Sequence, residues 1–193
     1  PKENVMALSS IALCSRALLK TGCRSITSFD DGSAEAEVAG NLYEPIRDAL
    51  LSSNAWSFAT GQVTLPQLEA APVADYDYAY QLPADFLRAL SAGAGRGRGL
   101  DYRIHERRLH TNASEVVLTY IFRPLESEFP PFFDQVLIAR LAAEFCIPLT
   151  DSTSRSEALL KVAETEFKRA KMIDAQQDTP HAVEDYTLVG VRS

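Results

Sequence analysis

The sequence has no long apolar run. A membrane-spanning helix needs roughly 18 or more consecutive apolar residues, and no stretch of this chain approaches that, so no membrane span is expected. Cysteine is sparse. Cys14, Cys23 and Cys146 are an odd set without CxxC spacing. Such a set does not read as a disulfide framework or a cysteine zinc site, and buried, reduced thiols in a reducing compartment are expected. Basic residues are in deficit. With 19 Lys and Arg against 26 Asp and Glu, the formal net charge is −7. That argues against a general affinity for phosphate backbones, which requires an excess of positive charge. The first residues also lack the basic, apolar and small-residue order of a secretory leader.

Catalytic patterns are missing as well. There is no G-x-x-x-x-G-K-S/T, no GxGxxG and no G-x-S-x-G, so nucleotide cradles and nucleophile elbows have no starting point. His105 and His110 fit neither an H-E-x-x-H pair nor a zinc-finger pair, and no cysteine lies near them. His181 is isolated. Asp30 and Asp31 sit just before a helix start, where carboxylates cap far more often than they catalyse. No catalytic, cofactor or metal residue is assigned, and a non-enzymatic role is expected.

The remaining sequence is that of an ordinary globular protein. Ala7, Ile11, Cys14 and Leu18 repeat at helical spacing and predict a helix over residues 4–21, with Gly22 as its C-cap. Ser33, or Asp31 before it, can cap a second helix running to about Ser52. Ala39, Leu42, Ile46 and Ala49 are expected to face inward there, with Pro45 kinking the helix. Pro130 and Pro131 suit the start of a third helix over 131–147, which carries Phe133, Leu137, Leu141 and Phe145 on one stripe and stops at Pro148. Ser154 and Glu157 have capping-box spacing for a fourth helix ending near Asp178. Its inward residues are expected to be Leu159, Val162, Ala163, Phe167, Ala170 and Ile173.

Between the helix pairs, three short strands are expected at about 101–105, 108–111 and 115–122, joined by tight turns at Glu106–Arg107 and Asn112–Ser114. Trp56 and Phe58 read as packing anchors. Tyr76, Tyr78 and Tyr80 alternate and would share a face if extended. Core or interface packing is preferred for them over base stacking, because no basic groove accompanies them. The fold expected is α+β: mainly a bundle of about four helices with a small antiparallel β-sheet. One body spans 1–178 and an extended C-terminal tail spans 179–193.

Two segments are candidates for partner contact. The run AGAGRGRG at 92–99 reads first as a flexible surface loop, and alternatively as a contact in which Arg96 and Arg98 reach an acidic surface or a DNA backbone. Arg103, His105, Arg107, Arg108 and His110 cluster at the first hairpin and read as a solvated basic edge. Tyr186, Leu188, Val189 and Val191 make the tail too apolar for a purely solvating terminus, so it can order on a partner.

Several motifs in order carry a family resemblance. ITSFDDGSAEA is followed by LYEPIRDALLSSNAWSFA and then YAYQLPADFLRA. Tyr43, Arg47 and Asp48, the W-S-F-A anchor, the Y-x-L-P-x-D segment, LAAEF and a later long helix complete the pattern. Over roughly residues 7–175 the chain resembles the tail tubular protein A type of head-to-tail adaptor of tailed bacteriophages, with related proteins in phage-derived gene transfer particles. It departs from that pattern in the AGAGRGRG insertion and after Pro180.

The resemblance implies a structural connector. Such proteins form a homo-oligomeric ring, typically of about twelve copies, under the portal protein at the head–tail junction of the virion. The ring extends the DNA channel and docks tail or stopper components, while DNA passes without sequence specificity. Chain ends or loops commonly grip the portal. Particles are made in the host cytoplasm. Twelve copies at −7 would carry roughly −84, enough to matter for a channel that must not retain DNA. The alternative is a nucleic-acid-binding module using the arginine-rich loop and hairpin at 92–108.

Overall fold

The computed structural model describes residues 8–95 and 97–177. In chain order, α1 (Ser10–Thr21) and α2 (Ala34–Ser52) lead into six strands: β1 (Thr60–Thr64), β2 (Tyr78–Gln81), β3 (Phe86–Gly93), β4 (Arg103–His105), β5 (Arg108–Thr111) and β6 (Val117–Phe122). Then α3 (Pro131–Thr150) and α4 (Thr153–Asp174) close the body. The strands form two antiparallel three-stranded sheets, ordered β1-β6-β3 and β2-β5-β4. The α+β expectation of four helices with a small antiparallel sheet is met, with two sheets in place of one. Among the described residues no helix is long and apolar enough to cross a membrane.

Local chemistry sets the helix ends. The helix expected from residue 4 starts at Ser10, because Ser9 is extended and its hydroxyl accepts from the Ala12 amide at 3.2 Å. Gly22 ends α1 at φ 83°, returning its own amide to Leu19 and the Cys23 amide to Leu18. Of the two possible caps on α2, Ser33 acts, accepting from Ala36 at 3.1 Å, while Asp31 holds the Ser33 amide at 2.9 Å. Pro148 does not end α3. The helix runs on to Thr150, whose hydroxyl bonds back to the Cys146 carbonyl at 2.6 Å. So late in a helix, proline removes one bond and the turn survives it. Asp151 then turns left-handed at φ 52° and leaves Ser152 extended, so Ser152 rather than Ser154 caps α4. That helix stops at Asp174, short of the expected Asp178, which lies outside the described residues.

The inward face of α2 also differs from expectation. Ala36, Ala39, Tyr43, Arg47, Leu50 and Leu51 are its buried residues, whereas Leu42 and Ile46 are half-buried and Ala49 is exposed. Ala39 is inward as expected, and Leu42 and Ile46 pack at the margin of the core, but the centre of the face lies at Tyr43, Arg47 and Leu50, one position on or about 100° round the helix. Tyr43 and Arg47 can be buried because their polar tips find partners, so polarity misled the periodicity. On α4, Val162 is likewise 47% exposed rather than inward.

Phe133, Leu137, Leu141 and Phe145 are fully buried and form the centre of the helical core. Trp56 locks into it. Its ring meets Phe133 edge-on at 5.4 Å and Phe167 at 5.7 Å, and its N–H donates to the Leu50 carbonyl at 3.1 Å. Phe58 lies 4.9 Å from Phe133. Trp56 and Phe58 thereby join the end of α2 to α3 and α4. A second core of Leu65, Tyr80, Leu82, Leu109, Val116 and Leu118 joins the two sheets.

β4, β5 and β6 fall within the three expected strand ranges, and Glu106 and Arg107 form the expected turn with φ of 48° and 60°. β1, β2 and β3 were not foreseen. β3 reads FLRALSAG, rich in helix-forming Leu and Ala, and is held extended by pairing along β6. Tyr78 and Tyr80 lie in β2, but Tyr76 precedes it. Tyr80 is 1% exposed and donates to the Ala113 carbonyl at 2.7 Å, which makes it core and not a stacking platform.

Candidate functional site

Among the described residues, no group of three or more His, Cys, Asp or Glu side chains is arranged to hold a metal ion. The structure instead concentrates its polar side chains at joints between elements. One joint binds α2 to the segment between β6 and α3. Glu126 accepts from the Tyr43 hydroxyl at 3.1 Å and from Arg47 at 3.2 Å. Arg47 also donates to Asp48 at 3.0 Å, and Arg123 grips the same carboxylate through two nitrogens. The Arg47 guanidinium lies over the Tyr43 ring, 5.4 Å from its centre. Burial, followed by the Glu126 carboxylate, pushes the Tyr43 phenol well above its ordinary range, so it stays a neutral donor. Burial acts to raise Asp48, but the hydrogen bonds from Arg123 and then Arg47 outweigh it and hold the carboxyl below its usual value. A bidentate arginine on a shared carboxylate is a rigid, directional arrangement.

A second joint closes the chain on itself. Asp174 is 5% exposed and accepts from the Ser57 amide at 3.1 Å and the Ser57 hydroxyl at 2.6 Å. The W-S-F-A anchor is thereby tied to the last turn of α4. A third acid is less well provided for. Oδ1 of Asp134 is buried with no hydrogen-bond partner among the described residues. Burial raises its pKa to about 6, against the pull of Arg16.

The half-buried stripe of α2 at the margin of the core lines a groove. Leu42, Ile46 and Ala49 form one wall, Ala163 and Phe167 of α4 the other, and Val136 of α3 contributes from between them. The groove has a volume of about 460 Å³, within the span of sites that hold ligands. Its rim carries Glu164 and a 2.6 Å ion pair between Arg140 and Glu144.

The glycine–arginine run is tied back and not an open loop. The Gly97 carbonyl accepts from Ser91 at 2.7 Å and from Thr119 at 3.3 Å, and the Leu100 amide donates to Ala92 at 3.0 Å. Gly95, Gly97 and Gly99 all have positive φ, which explains the glycine spacing. Arg98 is exposed on this turn, and Arg96 lies outside the described residues. The basic hairpin is an edge, as expected: β4 is the outer strand of its sheet, and Arg103, His105, Arg107 and Arg108 are exposed. Arg103 makes a 3.4 Å pair with Asp75. The His105 and His110 rings are 6.4 Å apart on neighbouring strands.

Trp56 and Phe58 are thus brought together in the core. Arg98 is on the surface, and Tyr186, Leu188, Val189 and Val191 lie outside the described residues. Glu126, Arg123 and Asp174 were not singled out from the sequence; nothing local marks them, since each acts across a long chain separation. The groove had a sequence signal, the second apolar stripe on α2, which was read as core. No protein-family model matches this sequence, and no curated protein matches it either.

Proposed function

We propose that this protein is a structural head-to-tail adaptor that assembles as a ring under the portal, extends the DNA channel and docks tail components. The observation that carries this reading is where its distinctive motifs go. Tyr43, Arg47 and Asp48 meet Arg123 and Glu126. The serine of W-S-F-A is held by Asp174. The tyrosine of Y-x-L-P-x-D fixes the Ala113 turn. These residues are used to hold a shape, which is what a ring subunit requires, and none is left poised against a cleft. A rigid helical body with a second, sheet-built unit gives such a subunit distinct surfaces for neighbours and for larger partners.

Electron microscopy of the purified protein, alone and with portal, tests the proposal. A closed ring that stacks coaxially on the portal is the expected result, and a protein that stays monomeric and ignores the portal would overturn it. A chain ending at Asp178 is expected to fold normally and to lose docking to portal; unchanged co-assembly would remove the tail from that role. The second reading, a nucleic-acid-binding module, draws on the exposed Arg98, Arg103, Arg107 and Arg108. It predicts a DNA mobility shift that weakens steeply with salt, and the adaptor reading predicts none from the isolated chain.

A further inference from the structure

We propose that the groove between α2, α3 and α4 is the seat of the chain's own C-terminal segment, Tyr186–Val191, docked within the same polypeptide. The groove is apolar along both walls, and no element of the described fold fills it. Its length fits the segment. From Leu42 to Ser53 the α2 wall runs about 16 Å at 1.5 Å per residue. Six extended residues, Tyr186 to Val191, also cover about 16 Å. An extended chain sends alternate side chains to opposite sides, so Tyr186 and Leu188 would meet one wall while Val189 and Val191 meet the other. Arg192 follows at once and suits the carboxylate of Glu164 on the rim, Glu144 being paired with Arg140.

The root of the tail favours its own groove over that of another copy. The Ser57–Asp174 bonds hold the end of α4 beside the chain just beyond α2, and both Ser53 and Phe167 belong to the groove lining. The residues from Ala175 to Tyr186 reach up to about 36 Å, more than twice the groove length. A short tether gives an effective concentration in the millimolar range, which a second copy does not match in dilute solution. The docked segment would keep its apolar side chains out of water until a partner competes for it. This goes beyond the adaptor proposal and does not depend on it.

Methyl-labelled full-length protein supplies the test. Nuclear Overhauser contacts from Leu188 and Val189 methyls to Ile46 and Val136 are expected in the wild type. Ala49→Arg, at an exposed position on the groove wall, is expected to abolish them without disturbing the Trp56 core signals, and Leu188→Asp is expected to do the same from the tail side. A mixture of labelled and unlabelled chains separates the occupants. Contacts confined to single chains support the proposal; contacts only between different chains, or no contacts at all, overturn it. Ring formation by electron microscopy is read separately, so failure of the latch leaves the adaptor proposal standing.

Discussion

Asp174 receives both the amide and the hydroxyl of Ser57, a residue 117 positions earlier in the chain. Removing the acceptor takes both Ser57 donors off a buried carboxylate, and hydrogen bonds to a charged group contribute about 1.5–3 kcal/mol. Asp174→Ala is therefore expected to lower stability by about 2 kcal/mol, with Ser57→Ala nearer 1. Urea unfolding midpoints measure this. Equal, negligible shifts for both variants would show that the clasp contributes nothing.

Trp56 is fully buried with its N–H satisfied. Trp56→Ala opens a cavity among Phe58, Phe133 and Phe167, and is expected to cost about 3–5 kcal/mol. Thermal melting reads the loss. A shift of a degree or two would contradict the packing described.

Two carboxyls give opposite pH signatures. Asp134 has its pKa raised to about 6 in the folded protein, so its contribution is complete below the unfolded value near 3.8 and is lost as the pH rises through about 6. Asp134→Asn is expected to stabilise the protein at pH 7 by about 1 kcal/mol, allowing for solvent screening of a half-buried group, with the gain fading as acid is added. Asp48 is held below its usual value, so its contribution is present above about pH 4 and is lost as the pH falls through the lower folded value. Asp48→Asn is expected to destabilise at pH 7 and converge on the wild type in strong acid. Chemical unfolding across pH 3–8 separates the two, and parallel curves for all three proteins would refute both.

The glycine–arginine turn makes a steric prediction. A Cβ on Gly93 would lie 2.2 Å from the Arg98 amide nitrogen and 2.3 Å from its carbonyl oxygen. Backbone cannot give way as a side chain can, so Gly93→Ala is expected to cost about 1–3 kcal/mol. At Gly99, where only φ opposes a side chain, alanine is expected to cost about 1 kcal/mol. Comparison of the two variants by denaturant unfolding decides the point; a harmless Gly93→Ala would mean that the turn is not closed in solution.

Most helices and the last three strands were legible because their signals are local. Ser33, Gly22 and the Phe133–Phe145 stripe announce themselves within a few residues. β3 was hidden because Leu and Ala favour helix, and only β6 makes the segment extended. The inward face of α2 was misread because Arg47 looks like a surface residue until Glu126, 79 positions away, is placed beside it. Pro148 looked like a stop because the back-bonding by Thr150 is invisible in a pattern of apolar residues. The groove shared that fate: its stripe is plain in the sequence, but its openness depends on how α3 and α4 are set.

The uneven burial of the three thiols has a practical use. Cys14 and Cys146 are fully enclosed, and burial pushes Cys14 up to about 12, while Cys23, just past the α1 cap, is only half covered. A maleimide dye offered to the native protein should mark Cys23 alone, because alkylation needs an accessible thiolate. Each chain would then carry one fluorophore at a known place, and the copies in any assembly it forms could be counted from stepwise photobleaching without altering a single residue.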